Sequence, residues 1–280
     1  MNLQNVIDMH IHSAPDTRQR KMDDLELMES AVERRMRAVV IKCHCAPTAG
    51  RAALVNKVRR EKYPDSNFEM FGGIVCNYDV GGLNPKAVES MFRMGGKVVW
   101  LPTFDSAYSV QRSGKQGGIH CIENDQPVKQ LMDIMDLVMQ YNGVLATGHI
   151  GVSETFALAK AAKKMGLKKL VVTHPESCLV GFTLQDQEQL VSEYGVYLEH
   201  CFSQPIGGGI YQKNCEFNTE AIKQIGAEHT IIATDSGQAQ NAYPYESMLE
   251  MLNYLAQHGI SNDDIVQATQ TNPQFLLDIN

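Results

Sequence analysis

The sequence predicts an α/β protein folded as a single (β/α)8 TIM barrel. Three observations predict it. Eight short β-branched runs alternate with segments of helical periodicity along 280 residues, close to the ~250 that eight β/α units occupy. No linker interrupts that rhythm, so residues 1–280 read as one domain. No GxGxxG turn follows the first run, as the alternative, an open doubly wound nucleotide-binding sheet, would require for a pyrophosphate to approach the backbone.

The runs, in order, are NVIDMHIH (5–12), RAVVIKCH (37–44), FGGIVCN (71–77), GKVVWLPT (96–103), GVLATGHI (143–150), KLVVTHPE (169–176), VYLEHCF (196–202) and TIIATDSG (230–237). Their near-continuous apolar character suits strands buried on both faces of a parallel sheet. Between them, Leu25, Met28, Val32 and Met36 recur at three-and-four spacing. So do Val128, Leu131, Met132, Met135 and Val138, and each set gives a helix one apolar stripe. Gly96, Gly143, Gly166, Gly195 and Gly226 precede strands four to eight, where a left-handed residue is expected to stop each helix. The longest loops, about 103–125 and 201–216, should lie over the same open end; the GGG at 207–209 carries little information.

Composition narrows the functional classes. With 44% hydrophobic and 20% charged residues, a packed core is expected. A formal net charge of -7 gives no footprint for nucleic acid, and KVRREK at 57–62 reads as a solvated helix face. The seven Cys form no CxxC pair, and the first strand begins too early to leave room for a signal peptide. A reducing, cytoplasmic setting is therefore expected. No apolar run approaches the ~18–20 residues of a membrane span, so no membrane partner is expected.

The histidines carry the chemistry. Six of the nine, His10, His12, His44, His149, His174 and His200, end predicted strands, as does Asp235. Strand C-termini converge at one mouth of a β/α barrel, so these residues should share a site, whereas His120, His229 and His258 need no special role. Period-two alternation puts Asp8, His10 and His12 on the inner face and Met9 and Ile11 toward the helices. Two stacked imidazoles can chelate a divalent metal, most simply zinc, with manganese, iron or nickel also accepting such ligands. His149, His174 and Asp235 are the candidates for completing the set.

The pattern resembles the amidohydrolase superfamily of metal-dependent β/α barrels. DMHIH matches its HxH on strand one, TGHI its His on strand five, VTHPE its His on strand six and ATDSG its Asp on strand eight, over residues 6–237. The resemblance implies His10, His12 and Asp235 as metal ligands, His149 as the next, and His174 as either a ligand or an acid/base facing substrate. It also implies assembly into a homo-oligomer. Many binuclear members bridge two metals with a carboxylated Lys or a Glu at the end of strand four, where this chain has Trp100 and Thr103. One metal is therefore expected, with Lys42 either an atypical bridge or, more simply, a cation attracting an anionic substrate. DMHIHSAPD, IKCH and THPE also resemble the polymerase-and-histidinol-phosphatase phosphoesterases, but TDSGQ lacks that family's final His and eight runs exceed its seven strands.

The expected chemistry is hydrolysis of an amide, lactone or other carbonyl-type small molecule by metal-activated water. Asp235 would move the proton and His174 or His200 would stabilise the oxyanion. Lys42, His44, Arg18, Arg20 and Arg112 are candidates for substrate contact. Asp8 or Glu176 would orient a ligand His, and Cys201 is at most a remote candidate nucleophile. A decarboxylase or lyase on the same site, and a noncatalytic metal-binding barrel, are the alternatives.

Overall fold

The eight apolar runs each contain one strand of a single parallel sheet, ordered as in the chain. The structure, a computed structural model, describes residues 1–206 and 210–279, so the GGG at 207–209 lies outside the described residues. The strands are Ile7–Ile11 (β1), Ala38–Ile41 (β2), Glu69–Val75 (β3), Val98–Trp100 (β4), Val144–Ala146 (β5), Leu170–Thr173 (β6), Tyr197–Cys201 (β7) and Thr230–Ala233 (β8). The helices that follow them are Asp24–Glu33 (α1), Ala49–Lys62 (α2), Pro85–Arg93 (α3), Lys129–Gln140 (α4), Val152–Met165 (α5), Leu184–Tyr194 (α6), Cys215–Ile225 (α7) and Pro244–Gln257 (α8). This is a (β/α)8 barrel.

The sheet closes where β8 returns to β1. Asp235 N donates to His10 O at 2.9 Å and His12 N to Ser236 O at 2.8 Å, and Ile11 bridges Ser236. Below these bonds the Asp8 carboxylate accepts from Thr234 N at 3.1 Å and from Thr234 Oγ1 at 2.6 Å. A side chain thus stands in for ladder bonds at the seam, satisfying donors that would otherwise be buried unpaired.

Alternation along the strands separates two apolar layers. Ala38, Val40, Val98, Trp100, Val144, Ala146, Val171 and Ile231 form the interior, while Val39, Ile41, Val99, Leu145, Val172, Leu198 and Ile232 pack against helices. Leu276 and Leu277, on the C-terminal helix Asn272–Leu277, join the interior cluster beside the first residues of the strands. They plug the N-terminal mouth, each burial contributing about 1.5–3 kcal/mol. Among the described residues, the C-terminal mouth is the end of the barrel left open.

The helical stripes are shifted slightly from those read in the sequence. In α1 the buried face is Leu27, Met28 and Ala31, with Leu25 exposed; in α4 it is Leu131, Ile134, Met135 and Val138. Gly166 and Gly195 are left-handed as expected, whereas Gly226 combines φ 92° with ψ 171°, and before strands four and five the positive φ falls to Gly95 and Asn142. Gly96 and Gly143 are small for another reason: a Cβ there would strike Met91 and Phe92. The two long loops carry their own structure. The first holds a short helix, Ala107–Arg112, and the pair Ile122–Glu123/Gln126–Pro127; the second holds the antiparallel pair Ser203–Ile206/Ile210–Lys213. Among the described residues no helix is long and apolar enough to cross a membrane.

Candidate metal centre

β1 enters the site irregularly. Its register against β2 shifts between Asp8 and Ile11. Met9 consequently packs in the barrel interior, not toward the helices, while Ile11 does face the helix layer. The shift leaves His10 and His12 both inside, with ring centroids 5.4 Å apart. Asp8 orients no imidazole ring; its carboxylate takes His10 N and Thr234. Burial raises the Asp8 carboxyl to about 7, against the lowering effect of those hydrogen bonds.

Three donors converge at the mouth. Nε2 of His10 and Nε2 of His12 each lie 3.1 Å from Oδ1 of Asp235. His10 is fixed from behind, its Nδ1 3.0 Å from Oε2 of Glu199, the carboxylate–imidazole pairing that orients metal-binding histidines and raises their basicity. Asp235 is in the left-handed region, φ 49°, sparsely populated for a residue with a side chain and characteristic of sites where packing enforces an unusual direction. His174, just past β6, is held similarly at φ 30°.

The electrostatics call for a cation. Burial would raise the Asp235 carboxyl, but His10 and His12 outweigh it and hold it well below the usual carboxylate range. Burial lowers the His10 imidazolium and Lys42 lowers it further, yet Asp235 and Glu199 together raise it to about 9. Without a metal, this corner gathers a proton. The surrounding imidazoles behave oppositely: burial takes His44 and His149 well below their ordinary value and lowers His174. Burial, then Arg20, lowers His12 to about 3. These four are neutral at pH 7, the form that ligates.

His149 and His174 face each other at 5.1 Å, and His174 stacks on His10 at 6.0 Å. Each has a buried Nδ1 without a hydrogen-bond partner, a cost in a closed interior that a ligand can relieve. A divalent metal therefore fits this donor set, held by His10, His12 and Asp235, with the His174 ring 6.0 Å from that of His10 and the His149 ring 5.1 Å beyond it. Two cationic side chains oppose it, Lys42 at His10 Nε2 (3.0 Å) and Arg20 at His12. Arg20 Nη2 lies 3.3 Å from Nδ1 of His12; a guanidinium only donates, so Nε2 carries the proton toward Asp235. A cation on Nε2 replaces that proton and requires Arg20 to turn away.

The cavity above these groups has a volume of about 470 Å³ and is walled by His12, His44, His149, His174, Lys42 and Asp235, with Arg18, Arg20 and Phe104 toward the opening. Lys42 is wholly buried, its Nζ 3.0 Å from His10 Nε2 and 5.4 Å from the Trp100 ring centre. Burial lowers its pKa, partly offset by Asp235 and Glu199. His44 stacks on His12 at 5.0 Å and is fixed by Thr103 Oγ1, 2.9 Å from its Nδ1. Trp100 and Thr103 thus support neighbours at the end of β4, bringing no carboxylate.

Two residues expected at the mouth are elsewhere. His200 follows Glu199 on β7 and so points to the opposite, helix-facing side, where Glu176 lies 3.2 Å from its Nδ1. Glu176 therefore orients His200, not a ligand histidine. Arg112, on the short helix of the first long loop, is exposed and donates to Cys178 O and Tyr108 Oη. Cys201 is inside, 3.9 Å from His10 Nδ1, but burial pushes its thiol well above the ordinary range, unsuited to a nucleophile. Glu199 is the residue that the histidine pattern hid. Alternation was the available signal: with Tyr197 packed against the interior, Glu199 and Cys201 must share that face.

The sequence profile of a family of unknown function, DUF6282, matches residues 5–199. The chain belongs to that family. The matched stretch includes His10, His12, Lys42, His149, His174 and Glu199, and ends before Asp235. No curated protein sequence matches the chain. Among solved structures, the barrel is similar to an amidohydrolase from Pseudomonas aeruginosa (12% identity, TM-score 0.67, covering 98% of this chain and 95% of that one). It is also similar to a putative 2-pyrone-4,6-dicarboxylic acid hydrolase from Pseudomonas putida (15%, 0.62, 99% and 98%). An amidohydrolase from Burkholderia multivorans with bound zinc matches as well (10%, 0.60, 98% and 99%). The resemblance read from the sequence is thus met in the fold, which these amidohydrolases share with the chain.

Proposed function

We propose that this family member is a metal-dependent hydrolase of a small carbonyl substrate, an amide or a lactone, bearing an anionic group. The observation that carries the reading is the convergence of His10 Nε2, His12 Nε2 and Asp235 Oδ1 within 4.8 Å of one another, at the open mouth of a barrel whose other end is plugged. A divalent ion held there, zinc being the simplest choice, supplies water activation at neutral pH and polarises a substrate oxygen.

The remaining roles fall to the chain. Asp235 stays ionised, so its carboxylate accepts a proton from the attacking water and returns it to the departing amine or alcohol. The neutral His174 donates an N–H to the oxygen on which charge develops. Glu199 holds the His10 ring, and Lys42, Arg18 and Arg20 offer positive charge to the substrate's anionic part. His44 and Phe104 form an apolar wall and His149 is the further ligand.

The test is elemental analysis of protein grown with ample metal, beside His10→Ala and Asp235→Ala, followed by an assay of ester, lactone and amide acids. Stoichiometric metal in the parent, its loss from both variants and release of acid or amine support the reading. Carbon dioxide release from a carboxylic acid substrate would assign the site to a decarboxylase, and a parent without metal would remove the basis of both.

A further inference from the structure

A second cluster of donors lies beside the cavity wall and takes no part in the site above. Cys43 and Cys45 flank His44 at the end of β2, with their Sγ atoms 3.5 Å apart. Asp16, from the loop that follows β1, brings Oδ1 to 3.8 Å from Cys45 Sγ. All three ligand atoms lie within 4.8 Å of one another. Cys43 is 3% exposed and the Asp16 side chain 1%, while Cys45 is half-buried, so two segments remote in sequence present two thiols and a carboxylate to one partly enclosed point.

We propose that Asp16, Cys43 and Cys45 form a cation site of their own, for a thiophilic divalent ion such as zinc or cadmium. The spacing suits it. Two thiolates on a tetrahedral zinc, each about 2.3 Å from the metal, are about 3.8 Å apart, close to the present sulfur separation, whereas a disulfide demands ~2.05 Å. The Asp16 carboxylate divides its oxygens: Oδ2 accepts from Arg20 Nη2 at 2.7 Å and Nε at 2.8 Å, while Oδ1, which accepts from Arg18 N at 3.2 Å and Thr17 Oγ1 at 3.3 Å, also faces the thiols and keeps a lone pair for a cation. Thr17 Oγ1, 3.0 Å from Cys45 Sγ, or a water fills the fourth position. Charge balances as well, since two thiolates, one carboxylate, one guanidinium and one divalent ion sum to zero, which a buried cluster requires. Occupation ties the Asp16–Arg20 loop to the strand end that carries His44, joining two walls of the cavity.

Cadmium is the probe, because thiolate ligation gives an ultraviolet charge-transfer band that histidine and carboxylate ligation do not. In the fully reduced intact protein the band should rise to saturation at one equivalent per chain. It should persist in His10→Ala and in Cys201→Ser, which separates this site from the barrel centre and from any failure there. Asp16→Asn should weaken cadmium binding by at least the roughly 10- to 100-fold that losing a supporting ligand costs. Cys45→Ser, at a half-buried position, should cut the band by half or more, and Cys43→Ser/Cys45→Ser should abolish it. A reduced parent without the band, or an undiminished band in Cys45→Ser, would overturn the proposal.

Discussion

Oε2 of Glu199 lies 3.0 Å from Nδ1 of His10, with both side chains sealed inside the barrel. The pairing sets which nitrogen of His10 is turned to the mouth, so removing the negative charge while keeping the shape should weaken metal binding more than folding. Glu199→Gln is expected to lose about 10- to 100-fold in metal affinity, measured by competition with a chromogenic chelator, with its circular dichroism unchanged. Unaltered affinity would show that His10 is oriented by its packing alone.

The loop carrying Arg18 and Arg20 is tied down by Arg51 of α2. Its guanidinium gives 2.7 Å bonds to both oxygens of Asp24 and further bonds to Ser13 O and Pro15 O. Both partners are mostly buried, at 18% and 8% side-chain exposure, so losing one leaves a charge without its counterpart. Arg51→Ala is expected to cost about 3 kcal/mol in chemical denaturation and to expose the 13–23 segment to limited proteolysis. A change below about 1 kcal/mol would class the network with ordinary surface pairs.

What the sequence could and could not reveal follows from the range of each cause. Period-two and period-three-to-four patterns are local, and they located all eight strands and, at the mouth, His10, His12, Lys42, His44, His149, His174 and Asp235. Proximity to a strand end says nothing of direction, however: it draws His200 inside and leaves Glu199 unmarked, although neighbours on a regular strand face opposite ways. The register shift in β1 is invisible for a related reason: it coincides with the bond from Thr234 to Asp8 across the seam, 226 residues away in the chain. The grouping of Asp16 with Cys43 and Cys45, and the placing of Arg112 outside, depend on loop paths that no short pattern encodes.

Asp8 makes stability depend on pH. Its folded carboxyl is raised to about 7 from an ordinary value of 3.8, so the native state holds this proton more tightly than the unfolded chain. The contribution to stability is complete below the unfolded value and is lost as pH rises through about 7. Asp8→Asn imitates the protonated form: its oxygen still accepts from His10 N and Thr234 N, and its amide donates to Thr234 Oγ1. The variant is expected to match the parent at about pH 4 and to exceed it by a few kcal/mol at about pH 8 in metal-free denaturation curves. Parallel curves across that range would mean that Asp8 is ionised throughout.

Lys42 sets a competition at the metal centre. Its Nζ is 3.0 Å from the nitrogen of His10 that faces the mouth, and its charge balances Asp235 and Glu199 when no cation is bound. Like charges ~4 Å apart repel by about 4 kcal/mol at an effective dielectric of 20, and a third of that is already tenfold in affinity. Lys42→Met keeps the chain length and the packing on Trp100. It should lower the melting temperature of the metal-free protein, because two buried carboxylates lose their nearest ammonium, and raise metal affinity about tenfold or more by calorimetric titration. Added metal should then restore the lost stability, while KM for an anionic substrate rises. Weaker metal binding in Lys42→Met would instead make this lysine part of the ligand set, the bridging role that its place at the end of β2 also permits.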